Sequence, residues 1–413
     1  MKIVILTLGS RGDVQPFVAL GIGLKKAGHE VTICTSSSFE KFIIENGLNY
    51  GYINDEFIKF VSSDEAKKAI ESTTNIIAWM QKAIELSAKI KPLMVQTLKE
   101  EWLAAKDAEM IIYHPKAMGG YHIAEKLDIP AIMCLPAPLY APTKAFPSLV
   151  FPDWQLGGWY NKLTYQLMPL LSLPYRRLVN NWRKEVLNLP ATSTIEGKNI
   201  PILHFYSSLV VPKPEDWDDN TITAGYWFLN SDLHWQPPKE LVKFLEAGSE
   251  PVYIGFGSIS GSNPKKTANL VKDALDISKK RGIIATGWGG LELEEIPDNI
   301  FVIKEIPHDW LFPQVAAVIH HGGAGTTAAG LRSGKPTIIC PFFGDQPFWG
   351  KKVYTLGVGA KPIPQKQLTA KKLAAAIIKV TEDLTIQQRA RILGEKLRAE
   401  DSIAKTIDFI ERF

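Results

Sequence analysis

The stretch Val318-Ile-His-His-Gly-Gly-Ala-Gly-Thr-Thr-Ala-Ala-Gly330 limits what this chain can fold into more than any other. Ala316 to Ile319 reads as the end of a buried strand, His320 to Gly325 as a turn that only small residues can make, and Thr326 to Leu331 as the first turns of a helix. Such a turn leaves backbone N–H groups unpaired at the positive end of the helix dipole, which suits an anion, most often a phosphate. Gly322, Gly323 and Gly325 hold Cβ atoms away, so that a diphosphate can lie against the backbone, and His321, Thr326 and Thr327 offer side-chain donors. A glycine-rich connection between two core elements would show the same spacing. The paired histidines and paired threonines favour the anion site.

Two other phosphate signatures fail. Gly334-Lys335 is followed by Pro336 and has Ala329 where a P-loop needs its first glycine. Neither Gly9-Ser-Arg-Gly12 nor Gly255-Phe-Gly-Ser-Ile-Ser-Gly261 has the spacing of a dinucleotide fingerprint, so no nicotinamide or flavin is expected.

With 413 residues the chain exceeds one ordinary core, and two domains of about 200 residues each are expected. Its 46% hydrophobic and 22% charged content is that of a folded globular protein. The formal charge of +4 comes from scattered Lys and Arg, which argues against a nucleic-acid partner and leaves weak attraction to an anionic membrane surface open. Cys34, Cys134 and Cys340 are odd in number and far apart, without metal-ligand spacing, and read as reduced core thiols of a cytoplasmic protein. Met1 to Leu8 reads as a first strand and not a signal peptide, and no apolar run approaches about 18 residues. A soluble protein, at most peripheral to a membrane, is expected.

In order along the chain, Lys2 to Leu8 is a buried strand, Gly9 to Gly12 a turn, Val14 to Ala27 an apolar-periodic helix and Val31 to Thr35 the next strand, which together make a βαβ unit. Asp13 then falls at the carboxyl end of strand one, the edge where open α/β sheets bind ligands. Phe57 to about Leu103 is helical. Strands at Met110 to Tyr113 and Ala131 to Leu135 flank a helix from Gly119 to Leu127, with His114 just past the first of them. Pro136 to Trp182, rich in Pro, Trp, Tyr and Leu, looks like a loop-and-helix lid with an apolar lining. Short strands at Ile202 to Ser207 and Thr221 to Gly225 precede a linker. A second α/β domain follows, with strands at Pro251 to Phe256, near Ile283 and Phe301, before the glycine turn, and at Thr337 to Cys340. Two parallel sheets facing each other across a cleft are expected.

With these residues in view, the chain resembles the UDP-glycosyltransferase superfamily of inverting, GT-B-fold enzymes, above all its sterol glucosyltransferase and glycopeptide-antibiotic glycosyltransferase branches. The resemblance covers nearly the whole length. It rests on five segments in order: Gly9-Ser-Arg-Gly-Asp-Val-Gln-Pro16; Gly255-Phe-Gly-Ser258 with Gly287-Trp288; Pro307-His-Asp-Trp-Leu-Phe-Pro313; the turn from His320 to Thr327; and Pro341-Phe-Phe-Gly-Asp-Gln346. The fold class it implies is α/β, GT-B, with two Rossmann-like domains: 1–225 for the acceptor, 226–238 as linker, 239–385 for the nucleotide sugar, and 386–413 as C-terminal helices packing back towards the N-terminal domain.

The resemblance also implies roles. The diphosphate turn falls on His321 through Thr327, with Gly323, Gly325 and Thr326 inside it. The pair that hydrogen-bonds the donor sugar's hydroxyls falls on Asp345 and Gln346, and a carboxylate accepting from vicinal hydroxyls is sound chemistry for holding a hexose. Ser258 is a further donor contact, while Trp288 and His308 lie where the base is approached. Trp288 stacks on the base or belongs to the core, and backbone groups of Ile306 are the alternative holder of a uracil. Asp13 is the general base, as in the sterol and antibiotic branches, with His114 as the residue that tunes or shares its proton. Ser10, Arg11 and Gly12 flank the base and count with the donor site; Arg11 either pairs with Asp13 or points to solvent.

The activity implied is inverting transfer of a hexose, glucose from UDP-glucose, to a hydroxyl of a lipophilic acceptor such as a sterol, terpenoid or polyphenol, with Trp154 and Trp159 against the acceptor. A dTDP-sugar-dependent antibiotic glycosyltransferase and a UDP-sugar epimerase of the same fold are the alternatives. No cofactor beyond the nucleotide sugar is expected, and no metal. Asp216-Trp-Asp218-Asp219 contains an Asp-x-Asp pattern, but in a Pro-flanked loop away from any strand end.

Overall fold

The computed structural model describes all residues except 62, 64–75, 196–198, 232–234, 258–263 and 287–294, with the side chains of 61, 76–88 and 264 also left aside. It divides into two compact units. Unit 1 takes residues 1–205, 213–229 and 401–413; unit 2 takes 206–212 and 230–400.

Among the described residues unit 1 is built on seven strands: β1 (Lys2–Leu6), β2 (Glu30–Ser36), β3 (Asn49–Ile53), β4 (Met110–Tyr113), β5 (Ala131–Leu135), β6 (Ile202–His204) and β7 (Thr221–Thr223). Their order is β3-β2-β1-β4-β5-β6-β7, with every pairing parallel. Parallel strands covered on both faces need apolar side chains in both directions. Alternate residues of β1 accordingly part: Ile3 and Ile5 join Phe17 and Leu20 in one core, Val4 and Leu6 join Met94 and Leu98 in the other. The helices that matter below are α1 (Arg11–Lys26), α2 (Ile76–Ala105), α3 (Gly120–Leu127) and α4 (Gly158–Trp182).

Unit 2 repeats the scheme with β8 (Val252–Gly255), β9 (Gly282–Ala285), β10 (Ile300–Ile303), β11 (Ala317–His320) and β12 (Thr337–Ile339), ordered β10-β9-β8-β11-β12 and again parallel. Helices α5 (Ala324–Arg332), α6 (Gln346–Thr355) and α7 (Leu384–Arg398) lie in this unit. Helix α8 (Ser402–Ile410) belongs to unit 1, where it packs on α1. A Cβ on Gly23 of α1 would collide with Ile403, and the Trp227 indole N–H donates to Thr406 Oγ1 at 2.9 Å.

The expected C-terminal helices therefore divide: α7 stays with unit 2, and 401–413 join unit 1. The segment 206–212 lies with unit 2, where Tyr206 packs edge-on against the fully buried Trp349 and Ser207 Oγ donates to Glu400 Oε1 at 2.7 Å. Cys34, Cys134 and Cys340 are buried and unbridged. In each sheet the strand order reverses once, between β1 and β4 and between β8 and β11, and such reversals are where open α/β sheets bind ligands.

Candidate active site

In unit 1, Leu6 pairs in register with Tyr113, so the chain leaves β1 and β4 at the same level. Past β1 it turns at Gly9, with φ +140°, and enters α1 from Ser10, which puts Asp13 in the first helical turn. Asp13 Oδ2 accepts from the Ser10 backbone N–H at 2.8 Å and from the Ser10 hydroxyl at 3.2 Å, the acid half of a capping box. A Cβ on Gly9 would collide with that carboxylate. Past β4, Lys116 reaches back and places its ammonium 2.6 Å from Asp13 Oδ1. The Asp13 side chain is 17% exposed, sheltered yet open to a reactant, while that of Lys116 is 51% exposed. Burial pushes the Asp13 carboxyl up; the Lys116 charge, then His114 and the hydrogen bonds from Lys116 and Ser10, outweigh it and hold the pKa below the ordinary carboxylate value.

His114 is buried, and its Nδ1 accepts the Lys116 backbone N–H at 3.2 Å. Burial, then the Lys116 charge, lowers its pKa to about 4 against the opposing pull of Asp13. A neutral ring whose Nδ1 accepts carries its proton on Nε2. The cationic partner of Asp13 is thus Lys116, a residue that no motif singles out. Arg11 turns elsewhere: its Nε donates to Gln15 Oε1 at 3.1 Å and its guanidinium lies 5.3 Å from the Phe42 ring centroid. Gly12 is exposed beside them. The loop that carries Lys116 is held at its far end by Glu101 of α2, whose Oε2 accepts the Gly119 N–H at 2.8 Å. Burial raises the Glu101 pKa to about 8, eased by that bond, so this acid is protonated at neutral pH.

In unit 2, His320 pairs in register with Gly255 and the strand ends again coincide. A Cβ on Gly257 would come 3.0 Å from His321 Cε1, and one on Gly323 would come 2.7 Å from His321 Nε2. The imidazole is therefore held between two glycines. His320, expected in the turn, is instead the last residue of β11. Its ring is fully buried and its Nδ1 accepts the Gly322 N–H at 2.9 Å, fixing Gly322 in the left-handed region at φ +98°. His321 Nδ1 is buried without a hydrogen-bond partner, and burial lowers its pKa to about 4, so the ring is neutral.

Helix α5 follows at once, with Gly323 at its N-cap and no acid in its first turn. The first-turn N–H groups have no intrahelical acceptor, and the dipole adds positive potential. Gly325 is exposed, and a Cβ there would meet nothing within 4 Å. Thr326 is half-buried. Thr327 is not a donor to the turn's exterior: it is buried and gives its hydroxyl to Gly323 O at 2.9 Å.

Asp345 caps α6 and accepts the Trp349 indole N–H at 2.8 Å. Gln346 is buried, with Oε1 accepting the Phe342 N–H at 2.7 Å, and lies against the turn, where a Cβ on Gly322 would come 3.2 Å from its own Cβ. These contacts bring Gln346 and the glycine turn together. His308 stacks on Phe312 with ring centroids 4.3 Å apart, and Ile306 packs on the same cluster. Ser258 and Trp288 lie outside the described residues. Trp154 and Trp159 are exposed on unit 1, Trp154 stacked on Tyr160. Asp216 is engaged with protein groups, accepting from Thr143 Oγ1 at 2.6 Å and from the Lys144 N–H at 2.9 Å.

Comparison with known proteins converges on one family. Residues 3–146 match the glycosyltransferase family 28 N-terminal domain, and residues 282–409 the C-terminal domain of erythromycin biosynthesis protein CIII-like proteins. Two Arabidopsis thaliana proteins, sterol 3-beta-glucosyltransferases UGT80A2 and UGT80B1, are 38% and 37% identical over 98% and 100% of this chain. A sterol 3-beta-glucosyltransferase of Emericella nidulans is 37% identical over all of it. The chain spans 64% and 68% of the two plant proteins' own lengths and 30% of the fungal one's. Among solved structures, the glycotransferase of kitacinnamycin superposes with a TM-score of 0.71 at 22% identity, covering 100% of this chain and 98% of that one. Glycosyltransferase VinC in complex with DTDP gives 0.70 at 16% identity, covering 100% of both. These structures share the fold.

Proposed function

Because the chain belongs to the UDP-glycosyltransferase superfamily and aligns along its length with the sterol 3-beta-glucosyltransferases, we propose that it moves glucose from UDP-glucose to the hydroxyl of a sterol-like alcohol, with inversion. The observation that carries this reading is the turn from His320 to Gly325. It holds two neutral imidazoles and opens a helix whose first turn has no acid and whose Gly325 faces open space. That is a cradle for a diphosphate.

In the proposed step the acceptor oxygen attacks the anomeric carbon while the bond from that carbon to the diphosphate breaks, its electron pair leaving on the nucleotide. The hydroxyl proton passes to Asp13. A carboxylate held below its ordinary pKa is a weak base, so it takes the proton late, once the forming C–O bond has made the hydroxyl acidic. The developing charge on the leaving diphosphate falls to the first-turn N–H groups of α5 and the ring N–H of His321. Asp345 and Gln346 are suited to the sugar's hydroxyls, and Ser10, Gly12, Ile306 and His308 to the remaining donor contacts. Trp154 and Trp159 present exposed apolar faces to an acceptor.

The test is a donor screen with UDP-glucose and dTDP-glucose against a panel of sterols, terpenoids and polyphenols, read by the mass gain of one hexose. UDP-glucose alone is included to reveal an epimer. Hexosylated sterol is expected, unaffected by EDTA, and Asp13→Asn should lower turnover by about 10²–10⁴-fold. No hexosylated product from any pair, or an epimer in its place, would overturn the reading; near-normal turnover in Asp13→Asn would remove Asp13 as base.

A further inference from the structure

Helix α4 is apolar on both of its sides. Its inner face buries Tyr160, Tyr165, Met168, Val179 and Trp182. On the outer face Trp159, Leu163, Leu170 and Leu173 recur at the spacing of one helical stripe, and Arg177 continues it. Trp159 is 67% exposed and Leu170 56%, with Leu171 at 55% beside it; Trp154 and Leu156 in the preceding loop are equally bare. A surface helix ordinarily turns its polar side outward. A row of this size left in water marks a surface that binds something.

The helix is not loosely attached. Asn161 Nδ2 donates to Lys144 O at 2.7 Å, Tyr160 Oη to Pro152 O at 2.7 Å, and the Ser148 N–H to Thr164 Oγ1 at 2.9 Å. At the far end the buried Arg183 bonds Glu125 through both terminal nitrogens, at 2.7 and 3.1 Å. The outer row is thus presented by a fixed element and not exposed by fraying.

Charge identifies the occupant. From Gly158 to Trp182 there is no Asp or Glu, while Lys162, Arg176 and Arg177 are cations; Asp153 precedes the helix, and Lys184 and Glu185 follow it as neighbours of opposite sign. Lys162 is partly answered by Asp216 at 3.7 Å; Arg176 and Arg177 are exposed. A pinned helix with tryptophan and leucine outward, cations along it and no anion fits the boundary between headgroups and acyl chains of an anionic bilayer. We propose that the outer face of α4 beyond Trp159 docks unit 1 on an anionic lipid membrane, Leu170, Leu171 and Leu173 entering the interface and Arg176 and Arg177 meeting the headgroups. The surface stands apart from the sugar-transfer reading and holds whichever alcohol is glycosylated.

The test is flotation of the full chain with phosphatidylcholine vesicles with and without phosphatidylglycerol, alongside light scattering for oligomeric state. Wild type is expected to float with the anionic vesicles and to detach as salt rises. Leu170→Glu with Leu171→Glu should cut partitioning by about tenfold or more, with an unchanged melting temperature and unchanged glycosylation of a water-soluble acceptor. Arg176→Gln with Arg177→Gln should remove the preference for anionic over neutral vesicles. Wild type that stays in solution would overturn the proposal. So would a Leu170→Glu, Leu171→Glu variant that turns a dimer into a monomer without changing flotation, since a second copy of the chain would then be what covers the row.

Discussion

The ammonium of Lys116 lies 2.6 Å from Asp13 Oδ1, although 103 residues separate the two in sequence. Strand register brings them together, because β1 and β4 end level and each contributes the residues just beyond its end. The pair fixes the charge state of the proposed base.

Replacing Lys116 with methionine isolates that effect. The folded pKa of Asp13 is depressed below its unfolded value. The group therefore adds stability above the unfolded pKa, and that contribution is lost as pH falls through the folded pKa. Lys116→Met leaves burial less opposed, so the folded pKa rises and the acid limb of kcat/KM moves to higher pH. Because the lysine is half exposed and screened, thermal stability at neutral pH should fall by no more than about 1 kcal/mol. A pH–rate profile whose acid limb does not move would show that Lys116 does not set the ionisation of the base.

Two glycines should respond in opposite ways. Gly9 has φ +140° and its Cβ would strike the Asp13 carboxylate, so Gly9→Ala is expected to lower both the melting temperature and turnover. Gly325 sits in the first turn of α5 with open space around a Cβ. Gly325→Ala should leave the melting temperature unchanged or slightly raised, since alanine favours helix, while UDP binding measured by calorimetry weakens. Unaltered UDP affinity in Gly325→Ala would mean that the space beside it holds no phosphate.

His320 touches no proposed ligand but holds the Gly322 N–H through Nδ1. His320→Leu strands a buried donor, at a cost of about 1–3 kcal/mol, and should weaken UDP binding by about tenfold as the turn relaxes. His320→Asn restores an acceptor at the spacing of an Asx-turn and should recover most of the affinity. Equal losses in both variants would assign His320 to packing alone.

Glu101 predicts a slope of the opposite sign to that of Asp13. Its folded pKa is raised by burial to about 8, so its neutral form stabilises the fold at low pH, and that contribution is lost as pH rises from the unfolded value through the folded one. Glu101→Gln keeps an acceptor for the Gly119 N–H and cannot ionise. Melting temperatures of the variant should exceed those of wild type at pH 8 by more than at pH 5. A constant difference between the two pH values would be inconsistent with a buried, titrating acid.

The apolar runs gave away most of the sheet: Met110 to Tyr113 and Ala131 to Leu135 fold as strands at the bounds that their composition predicts. β3 was not legible, because Asn49-Tyr-Gly-Tyr-Ile53 is an edge strand with Tyr52 exposed and a glycine in its middle, the latter required where a Cβ would press on Cys34. Histidine is polar, so the pattern places His320 in the turn; its place inside β11 depends on a side-chain bond to Gly322 that no spacing rule reveals. In sequence Lys116 is one more scattered cation, since only the register of β4 against β1 sets it on Asp13. The aromatic and leucine content of Pro136 to Trp182 predicts a lining, and composition alone cannot say that one side of α4 faces outward.

The packing of α8 on α1 also sets an order of events in the making of the protein. The amino-terminal unit is discontinuous: Gly23 of α1 and the indole of Trp227 await Ile403 and Thr406 from the carboxyl-terminal segment. During synthesis that face stays bare until the whole of the other unit has left the ribosome. A chain cut at Glu400 would keep all twelve of the described strands and still leave its first core unsealed.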